Sequence, residues 1–344
     1  MLNFLEIENF KCIKKQSFEL PPLTILTGIN STGKSSILQS ILLLSKYYSQ
    51  INQDLLNHCI ANLSEFTEIR NKYQNAKSLQ LAITDSHNYK FALSMDYDQT
   101  KADSKVNSDS LNYEGRLYYI SANRIGPEEL ASFNKAQKVG NNGEFIFGYF
   151  EKNKDTSLAV FKYKDSSTLK YQLNRWLTHI LELPIELQTE KPTTTTVKVS
   201  FNSDGIDNIS PFNIGAGNSY VAKVLITCLM CNQGDTVLIE NPEIHLHPKA
   251  QAKLGEFFAW LAQNGVQVIL ETHSELVINQ ISYQAYRREI NSDKIKIYYK
   301  PSIREDFIPI GINYRGHFIN SDGEKIIFPS GFFDSTLQEL VEMG

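Results

Sequence analysis

The sequence has no excess of charge of either sign and no long apolar run. Its 344 residues contain 34 Lys and Arg against 38 Asp and Glu, which gives a formal net charge of −4. This balance does not indicate nucleic acid or an acidic membrane surface as a partner. The longest apolar runs, such as residues 41–44, are far shorter than the roughly 20 residues that a transmembrane helix needs. We therefore expect no membrane partner, and nucleic acid is possible but not evident.

Cysteine is also scarce, with only four residues in the chain. The N-terminus alternates like a strand and has no basic segment before a long apolar run, so we expect no signal peptide, a cytoplasmic location and reduced thiols. Cys228 and Cys231 form a Cys-x-x-Cys pair that fits a redox motif or half of a zinc site. No second such pair completes four ligands. The pair lies in an apolar helical run, residues 221–230, which favours buried core.

Sustained heptads are missing as well, which argues against a long coiled coil. The chain shows no internal repeat and no low-complexity tract. Its hydrophobic content of 42% and charged content of 21% are typical of a globular protein. The length suits one large α/β domain with additions, or two domains.

The most informative segment is Gly28–Ser35, which fits the P-loop pattern G-x-x-x-x-G-K-[ST]. An apolar, β-branched segment precedes it, and apolar residues at helical spacing follow it. In a strand, turn and helix of this kind, backbone N–H groups and the helix dipole point at a phosphate. Lys34 would reach the β- and γ-phosphates, and Ser35 would bind Mg²⁺. The predicted nucleotide-binding residues of this segment are Asn30, Ser31, Thr32, Gly33, Lys34, Ser35 and Ser36.

Two further strands end in polar residues. The first, residues 236–239, runs into Glu240, which we interpret as a Walker B acid that holds Mg²⁺. Glu243 follows three residues later and can orient or deprotonate an attacking water. The second strand, residues 266–272, runs into His273. Because the carboxyl ends of parallel strands share one sheet edge, the three motifs are expected to meet there.

The rest of the chain is organised around this α/β pattern. Residues 1–27 read as a β-meander, and from residue 211 strands alternate with helices, which predicts a parallel sheet. We expect one domain at residues 1–290, with variable insertions at about 51–115 and an exposed arm at 128–165. Short strands, the last at 325–328, then form a small C-terminal appendage at residues 291–344.

Several residues allow more than one interpretation. His245 and His247 could be a metal pair or part of a loop that faces another subunit. Arg124 could contact a phosphate, a second subunit or a carboxylate. Lysines and aromatic residues between Lys135 and Lys170 could follow a nucleic-acid backbone. A solvated face with aromatic core contacts is the preferred interpretation of that segment.

The sequence resembles ABC-type ATPases. Residues 240–248 (Glu-Asn-Pro-Glu-Ile-His-Leu-His-Pro) look like their Walker B and D-loop, and residues 271–274 (Glu-Thr-His-Ser) like their switch-histidine segment. With residues 7–11 and the P-loop, they resemble the branch that contains structural-maintenance-of-chromosomes (SMC) proteins and overcoming-lysogenization-defect (OLD) nucleases. Residues 121–127 and 328–334 resemble a subgroup with a small C-terminal domain of unassigned function.

The resemblance implies an ABC-type ATPase head with an N-terminal antiparallel β-subdomain and a short C-terminal appendage. It also implies ATP and Mg²⁺ as ligands, with His273 at the γ-phosphate and with Lys34 and Glu243 as the other catalytic residues. A homodimer or higher oligomer would place ATP between the P-loop of one subunit and the signature motif of the next.

The signature candidate is residues 213–219, where Gly215, Gly217 and Ser219 would contact the nucleotide of the other subunit. It departs from the usual pattern because Gly215 stands where a serine is expected. The Walker B acid is Glu240 rather than the commoner aspartate. Gln80 is the nearest candidate for the glutamine that senses Mg²⁺ in many ABC-type heads.

The resemblance suggests a role in bacterial antiphage defence. No coiled coil is predicted, and residues 291–344 lack the clustered acidic pattern of a nuclease domain. We therefore expect an ATPase subunit that acts with a separately encoded effector, such as a nuclease or toxin. The alternatives are a nucleotide-dependent dimerising scaffold with little turnover and a DNA-binding remodelling ATPase.

Overall fold

The fold was examined in a computed structural model, which describes residues 1–48, 63, 65–103 and 108–329. Parts of the predictions for residues 51–115 and 328–334 lie outside these ranges. The helices are α1 (Ser35–Tyr48), α2 (Phe66–Ile69), α3 (Ile146–Asn153), α4 (Leu169–Leu181), α5 (Ala216–Leu229), α6 (Pro248–Gln263) and α7 (Glu275–Tyr286). Within these ranges, no helix combines the length and apolar character that crossing a membrane requires.

A seven-stranded sheet runs through the centre of the molecule. Its strands are β3 (Leu23–Gly28), β7 (Leu117–Ile120), β12 (Thr236–Glu240), β13 (Gln267–Glu271), β14 (Ile295–Lys300), β15 (Ile308–Ile312) and β16 (Phe318–Ile319). Their order is β16-β15-β14-β3-β13-β12-β7, and the five strands from β14 to β7 are parallel. The predicted parallel sheet is therefore confirmed.

The parallel strands are apolar on both sides because both faces of the sheet are covered. All six residues of β3 are buried. Leu26 and Ile269 face a core shared with α1 and the N-terminal strands, whereas Ile25 and Leu270 face a core shared with the other large helices. This double burial fixes the position of the P-loop at the end of β3.

The N-terminal antiparallel subdomain is confirmed. It is a five-stranded sheet in the order β2-β1-β4-β5-β6. Its strands are β1 (Leu2–Phe10), β2 (Ile13–Glu19), β4 (Ser78–Asp85), β5 (Lys90–Asp96) and β6 (Thr100–Ala102). One face packs on α1 and the central sheet through alternating apolar residues, among them Leu5, Ile7 and Leu81.

Residues 128–165 differ from the exposed arm that their composition predicts. They contain α3, whose Ile146, Phe147 and Phe150 are fully buried in the main core. The segment also supplies β8 (Leu130–Ser132), which pairs with β10 (Thr196–Ser203). Polar residues dominate the composition, but the few large apolar side chains anchor the segment.

A small antiparallel sheet completes the fold. In it, β10 pairs with β8, with β9 (Ile185–Glu190) and with β11 (Ile206–Ile209). Cys228 and Cys231 are buried in the adjoining core, where burial raises the pKa of both thiols. The buried-core interpretation of this pair is thus confirmed.

The C-terminal strands are less separate than the sequence pattern predicts. β14 pairs in parallel with the P-loop strand β3, and β15 and β16 continue the same sheet. Residues 325–328, predicted as a strand, contribute only an isolated bridge between Lys325 and Ile319. The division of the chain at residue 290 stays a prediction, although the first strands beyond it belong to the central sheet.

Candidate nucleotide-binding site

The P-loop turn is held in place by close packing of its glycines. Gly28 has φ +127° and Gly33 has φ +99°, conformations that residues with a Cβ rarely adopt. A Cβ at Gly28 would collide with the backbone of Lys300 in β14, and a Cβ at Gly33 would collide with Cys12. The turn therefore requires glycine at both positions, and α1 begins at Ser35 directly after it.

Lys34 is 3% exposed and lies folded against its own loop. Its Nζ donates to the carbonyl oxygens of Gly28 at 3.1 Å and Ile29 at 2.7 Å. Burial lowers the pKa of Lys34, and the charge of Glu271 partly opposes this shift. No carboxylate in the described part of the chain forms an ion pair with it, so the ammonium group is available to an anionic ligand.

The Walker B segment is fixed by the loop that follows β7. The Glu240 carboxylate accepts a hydrogen bond from the backbone N–H of Ala122 at 3.1 Å. Arg124 donates to the carbonyl oxygens of Glu240 at 3.0 Å and of Asn241 at 2.9 Å. Its guanidinium also lies over the Tyr220 ring. Arg124 thus positions this segment within its own chain, a role that differs from all three contacts considered from the sequence.

Glu243 and His273 are brought together, as their positions at the sheet edge predict. Glu243 Oε1 accepts from the backbone N–H of His273 at 2.8 Å, while Oε2 is buried without a partner. Burial raises the pKa of Glu243 and, with help from Lys34, lowers that of the His273 imidazole. Both shifts therefore favour the uncharged form of the side chain.

A hollow of about 480 Å³ lies in front of the P-loop. Most of the predicted P-loop residues line it, namely Ser31, Gly33, Lys34, Ser35 and Ser36, together with Glu271 and His273. The size is within the range of small-molecule sites. Asn30 is exposed beside it, whereas Thr32 is buried and its hydroxyl donates to the Ile29 carbonyl oxygen at 2.8 Å.

Glu271 is the site residue that sequence reasoning missed. It ends β13, opposite Glu240 in the register of β12. It is 6% exposed, and burial raises its pKa to about 7, with Ser35 and Lys34 acting in the opposite direction. An acid at the end of a buried strand, two residues before His273, was the signal that could have identified it.

The signature segment does not line this hollow. Gly215 precedes α5 with φ +93°, and nothing lies within 4 Å of its Cβ position. Gly217 packs against the carbonyl oxygen of His245, and Ser219 is fully buried with no hydrogen-bond partner. On this chain the exposed part of the segment is therefore the backbone around Gly215.

The two D-loop histidines have different environments. The His245 ring lies 4.8 Å from the Tyr220 ring of α5. His247 is the N-cap of α6, where its side chain accepts from the backbone N–H of Lys249. The described residues contain no group of three or more His, Cys, Asp or Glu that could hold a metal ion. Gln80 lies on the exposed face of the N-terminal sheet, among the residues of another hollow, which contradicts its assignment as the Mg²⁺-sensing glutamine.

Partnerless polar atoms concentrate around the site. The described residues contain eight buried side-chain nitrogen or oxygen atoms without a hydrogen-bond partner, and six of them belong to these motifs or the ends of their strands. They are Thr27 Oγ1, Arg124 Nε, Ser219 Oγ, Asn241 Oδ1, Glu243 Oε2 and Glu271 Oε2. Buried polar groups are normally paired. Of these residues, Glu271 lines the hollow, and with Lys34, Ser35 and the glycine turn its carboxylate fits a nucleotide phosphate bound together with a hard cation.

The fold and the site define a P-loop ATPase of the ABC type. The chain belongs to the family described as "AAA domain, putative AbiEii toxin, Type IV TA system", whose model matches residues 23–279. These residues include all of those that line the hollow except Lys11, Cys12 and Ile303.

The chain is also similar to individual proteins and solved structures. The chain is 23% identical over 376 residues to the OLD nuclease of Thermus scotoductus, covering 92% of this chain and 67% of that protein. An SmcHead bound to the C-winged helix domain of ScpA is 11% identical, with a TM-score of 0.58 over 90% of this chain and 98% of the other. The SMC head domain from Thermotoga maritima, also 11% identical, has a TM-score of 0.48 over 90% and 98%. The first of these structures shows that the fold is that of an SMC head.

Proposed function

We propose that this chain binds ATP with Mg²⁺ in the hollow before the P-loop and hydrolyses the γ-phosphate bond. The observation that supports this proposal is the convergence of the motifs at one sheet edge: Lys34 and His273 line the hollow, and Glu243 accepts from the backbone N–H of His273. Glu240 ends the strand beside that of Glu271, which also lines the hollow. Bound Mg²⁺ would neutralise charge on the phosphate oxygens.

Each residue has a proposed part in the reaction. Lys34 and the backbone amides of the turn bind the phosphates, and Ser35 and Glu240 hold the cation. Glu243 takes the proton of the attacking water on its partnerless oxygen, and His273 donates to the γ-phosphate. Because phosphoryl transfer offers little covalent chemistry to the protein, these residues act by positioning and by stabilising charge.

The proposed assembly is a head-to-tail homodimer. The exposed turn at Gly215 supports it, because its backbone is open on this chain and begins a helix whose N-terminus favours anions. Gly217 would contribute through the same turn. Ser219, which the sequence also suggests as a nucleotide contact, is buried in its own chain and would need a rearrangement to reach a second subunit.

The proposed biological role is that of the ATPase subunit of a bacterial antiphage system with a separately encoded effector. This role is supported by the family, whose description includes "putative AbiEii toxin, Type IV TA system", and by the similarity to an OLD nuclease. A cytoplasmic location stays a prediction. The second candidate is a nucleotide-dependent scaffold with little turnover, which the absence of a serine at position 215 favours.

The test is the variant Glu243→Gln. We expect ATP hydrolysis to fall by about 10²-fold or more, because a general base contributes 10²–10⁴-fold, while ATP binding is kept. Hydrolysis by the variant at the wild-type rate would show that Glu243 is not the base. Sizing of this variant with and without ATP tests the dimer, and a wild-type chain that dimerises with ATP but does not hydrolyse it would favour the scaffold.

A further inference from the structure

Glu271 has no role in the motifs discussed so far, yet it occupies the centre of the site. It ends β13 between the P-loop strand β3 and the Walker B strand β12. The parallel register places it opposite Glu240, at the same level of the sheet. Its side chain lines the hollow with Lys34 and Ser35. A carboxylate is therefore present at the ends of β13 and β12, the two successive strands on one side of β3.

The environment of Glu271 is unfavourable for a carboxylate without a ligand. The residue is more than nine-tenths buried, and its Oε2 has no hydrogen-bond partner. The charges of Glu240 and Glu243 add like-charge repulsion. Removing a charge from water is unfavourable unless the group is paired, because the charge loses its hydration. A bound cation would relieve both the repulsion and the missing contact.

Lys34 does not satisfy Glu271. The ammonium group attracts the carboxylate over a distance, but its hydrogen bonds go to the carbonyl oxygens of Gly28 and Ile29. Ser35 lines the hollow together with Glu271, and its side chain acts to lower the pKa of that carboxyl. Since Ser35 is the P-loop residue assigned to Mg²⁺, the carboxylate lies beside the place where the cation is expected.

The proposed donors fit a hard cation such as Mg²⁺. They are the Ser35 hydroxyl and the Glu271 carboxylate, which line the hollow, and the carboxylate of Glu240 at the end of the neighbouring strand. The Cys12 thiol and the His273 imidazole also line the hollow, and neither belongs to a group of three or more His, Cys, Asp or Glu within the described residues. Mg²⁺ prefers oxygen ligands and is usually bound by one or two carboxylates together with phosphate oxygens and water. Gln80, the candidate for the metal-sensing glutamine, lies among the residues of another hollow and contributes no oxygen to this one.

We propose that Glu271 is a Mg²⁺-binding residue that acts together with Ser35 and Glu240. The proposal rests on the proposed binding of ATP with Mg²⁺ at this hollow. It adds a metal-binding residue that comes from the strand before the switch histidine. In this arrangement the cation is held by residues from three neighbouring elements, α1, β12 and β13.

The test compares Glu271→Gln with Glu275→Gln, an exposed residue in the first turn of α7 that undergoes the same change of charge. The probe is Mn²⁺, which is paramagnetic and substitutes for Mg²⁺, titrated by electron paramagnetic resonance in the presence of a non-hydrolysable ATP analogue. Nucleotide affinity is measured separately with the metal chelated. Neither readout depends on turnover.

We expect Glu271→Gln to weaken Mn²⁺ binding by tenfold or more. Its metal-free nucleotide affinity should be equal or higher, because a negative charge near the phosphates is gone. Glu275→Gln should match the wild type in both measurements. Wild-type Mn²⁺ affinity in Glu271→Gln would overturn the proposal. If Glu271→Gln also loses metal-free nucleotide binding, Glu271→Asp is measured instead. This variant keeps the charge but has a shorter side chain, so it should still weaken Mn²⁺ binding. An unchanged Mn²⁺ affinity in Glu271→Asp would overturn the proposal.

These outcomes separate the proposal from the proposed function. If the wild-type protein binds neither the nucleotide analogue nor Mn²⁺, the proposed function itself is wrong. If the wild type binds both and Glu271→Gln binds Mn²⁺ equally well, only the proposed role of Glu271 is wrong.

Discussion

Two groups of charged residues in this molecule differ in how completely their carboxylates are hydrogen-bonded. At the nucleotide hollow, Glu243 and Glu271 each keep a buried oxygen without a partner, and burial raises the pKa of both. Between α4 and α6, Glu256 bonds to Lys162 at 2.8 Å and to His179 at 3.0 Å. These hydrogen bonds lower the pKa of Glu256 to about 2.

The difference indicates which carboxylates are suited to binding a ligand and which stabilise the folded chain. A carboxylate with complete partners contributes to the folded state, whereas one without them opposes folding until a ligand arrives. The lysines show the same contrast, since Lys34 has only backbone carbonyls and Lys162 has a carboxylate and the Trp176 ring. Charged residues alone would therefore not locate the site, but their missing partners do.

The largest expected effect comes from the two lysines. Lys34→Ala should weaken ATP binding by about 10- to 100-fold, since a hydrogen bond to a charged group contributes about 1.5–3 kcal/mol. Lys162→Ala should leave ATP binding unchanged. Isothermal titration of both variants with a non-hydrolysable analogue checks this. A similar loss of ATP affinity in both variants would show that the two lysines do not differ in their role in binding.

A smaller effect, of opposite sign in the two groups, is expected on stability without nucleotide. Glu243→Gln removes a buried, incompletely paired charge and should raise the free energy of unfolding at pH 8 by on the order of 1 kcal/mol. Glu256→Gln breaks a paired carboxylate at a partly exposed position and should lower it by a similar amount. Urea unfolding of both variants and the wild type gives the sign of each change in the free energy of unfolding. Changes of the same sign in both variants would contradict the contrast between Glu243 and Glu256.

The smallest effect is the pH dependence of the Glu256 contribution. Because folding lowers the pKa of Glu256 from its usual 4.5 to about 2, its stabilisation is complete above pH 4.5 and is lost as the pH falls toward 2. The stability difference between wild type and Glu256→Gln should shrink by a fraction of a kcal/mol to about 1 kcal/mol between pH 6 and 3. Urea midpoints across this range test it, and a constant difference would show that the shift is wrong.

Local patterns predicted the main elements and motifs. The P-loop strand, the helix at Ser35 and the two strands that end at Glu240 and Glu271 follow from apolar periodicity and glycine placement. The convergence of Glu243 and His273 followed from the rule that parallel strands share a carboxyl edge. The errors concern tertiary contacts. In residues 128–165, three buried side chains outweigh a polar composition, and β14 joins the central sheet although the pattern around it changes.

By itself, the sequence determined the P-loop, the acids at 240 and 243 and the histidine at 273, because these are local patterns whose spacing carries chemistry. Only the tertiary structure decided that Arg124 holds Walker B carbonyls, that Ser219 is buried and that Gln80 lies on another face. It also brought Glu271 opposite Glu240. The hydrogen-bond partners and the burial of a side chain depend on residues that are far apart in the chain. A local sequence pattern therefore cannot predict them.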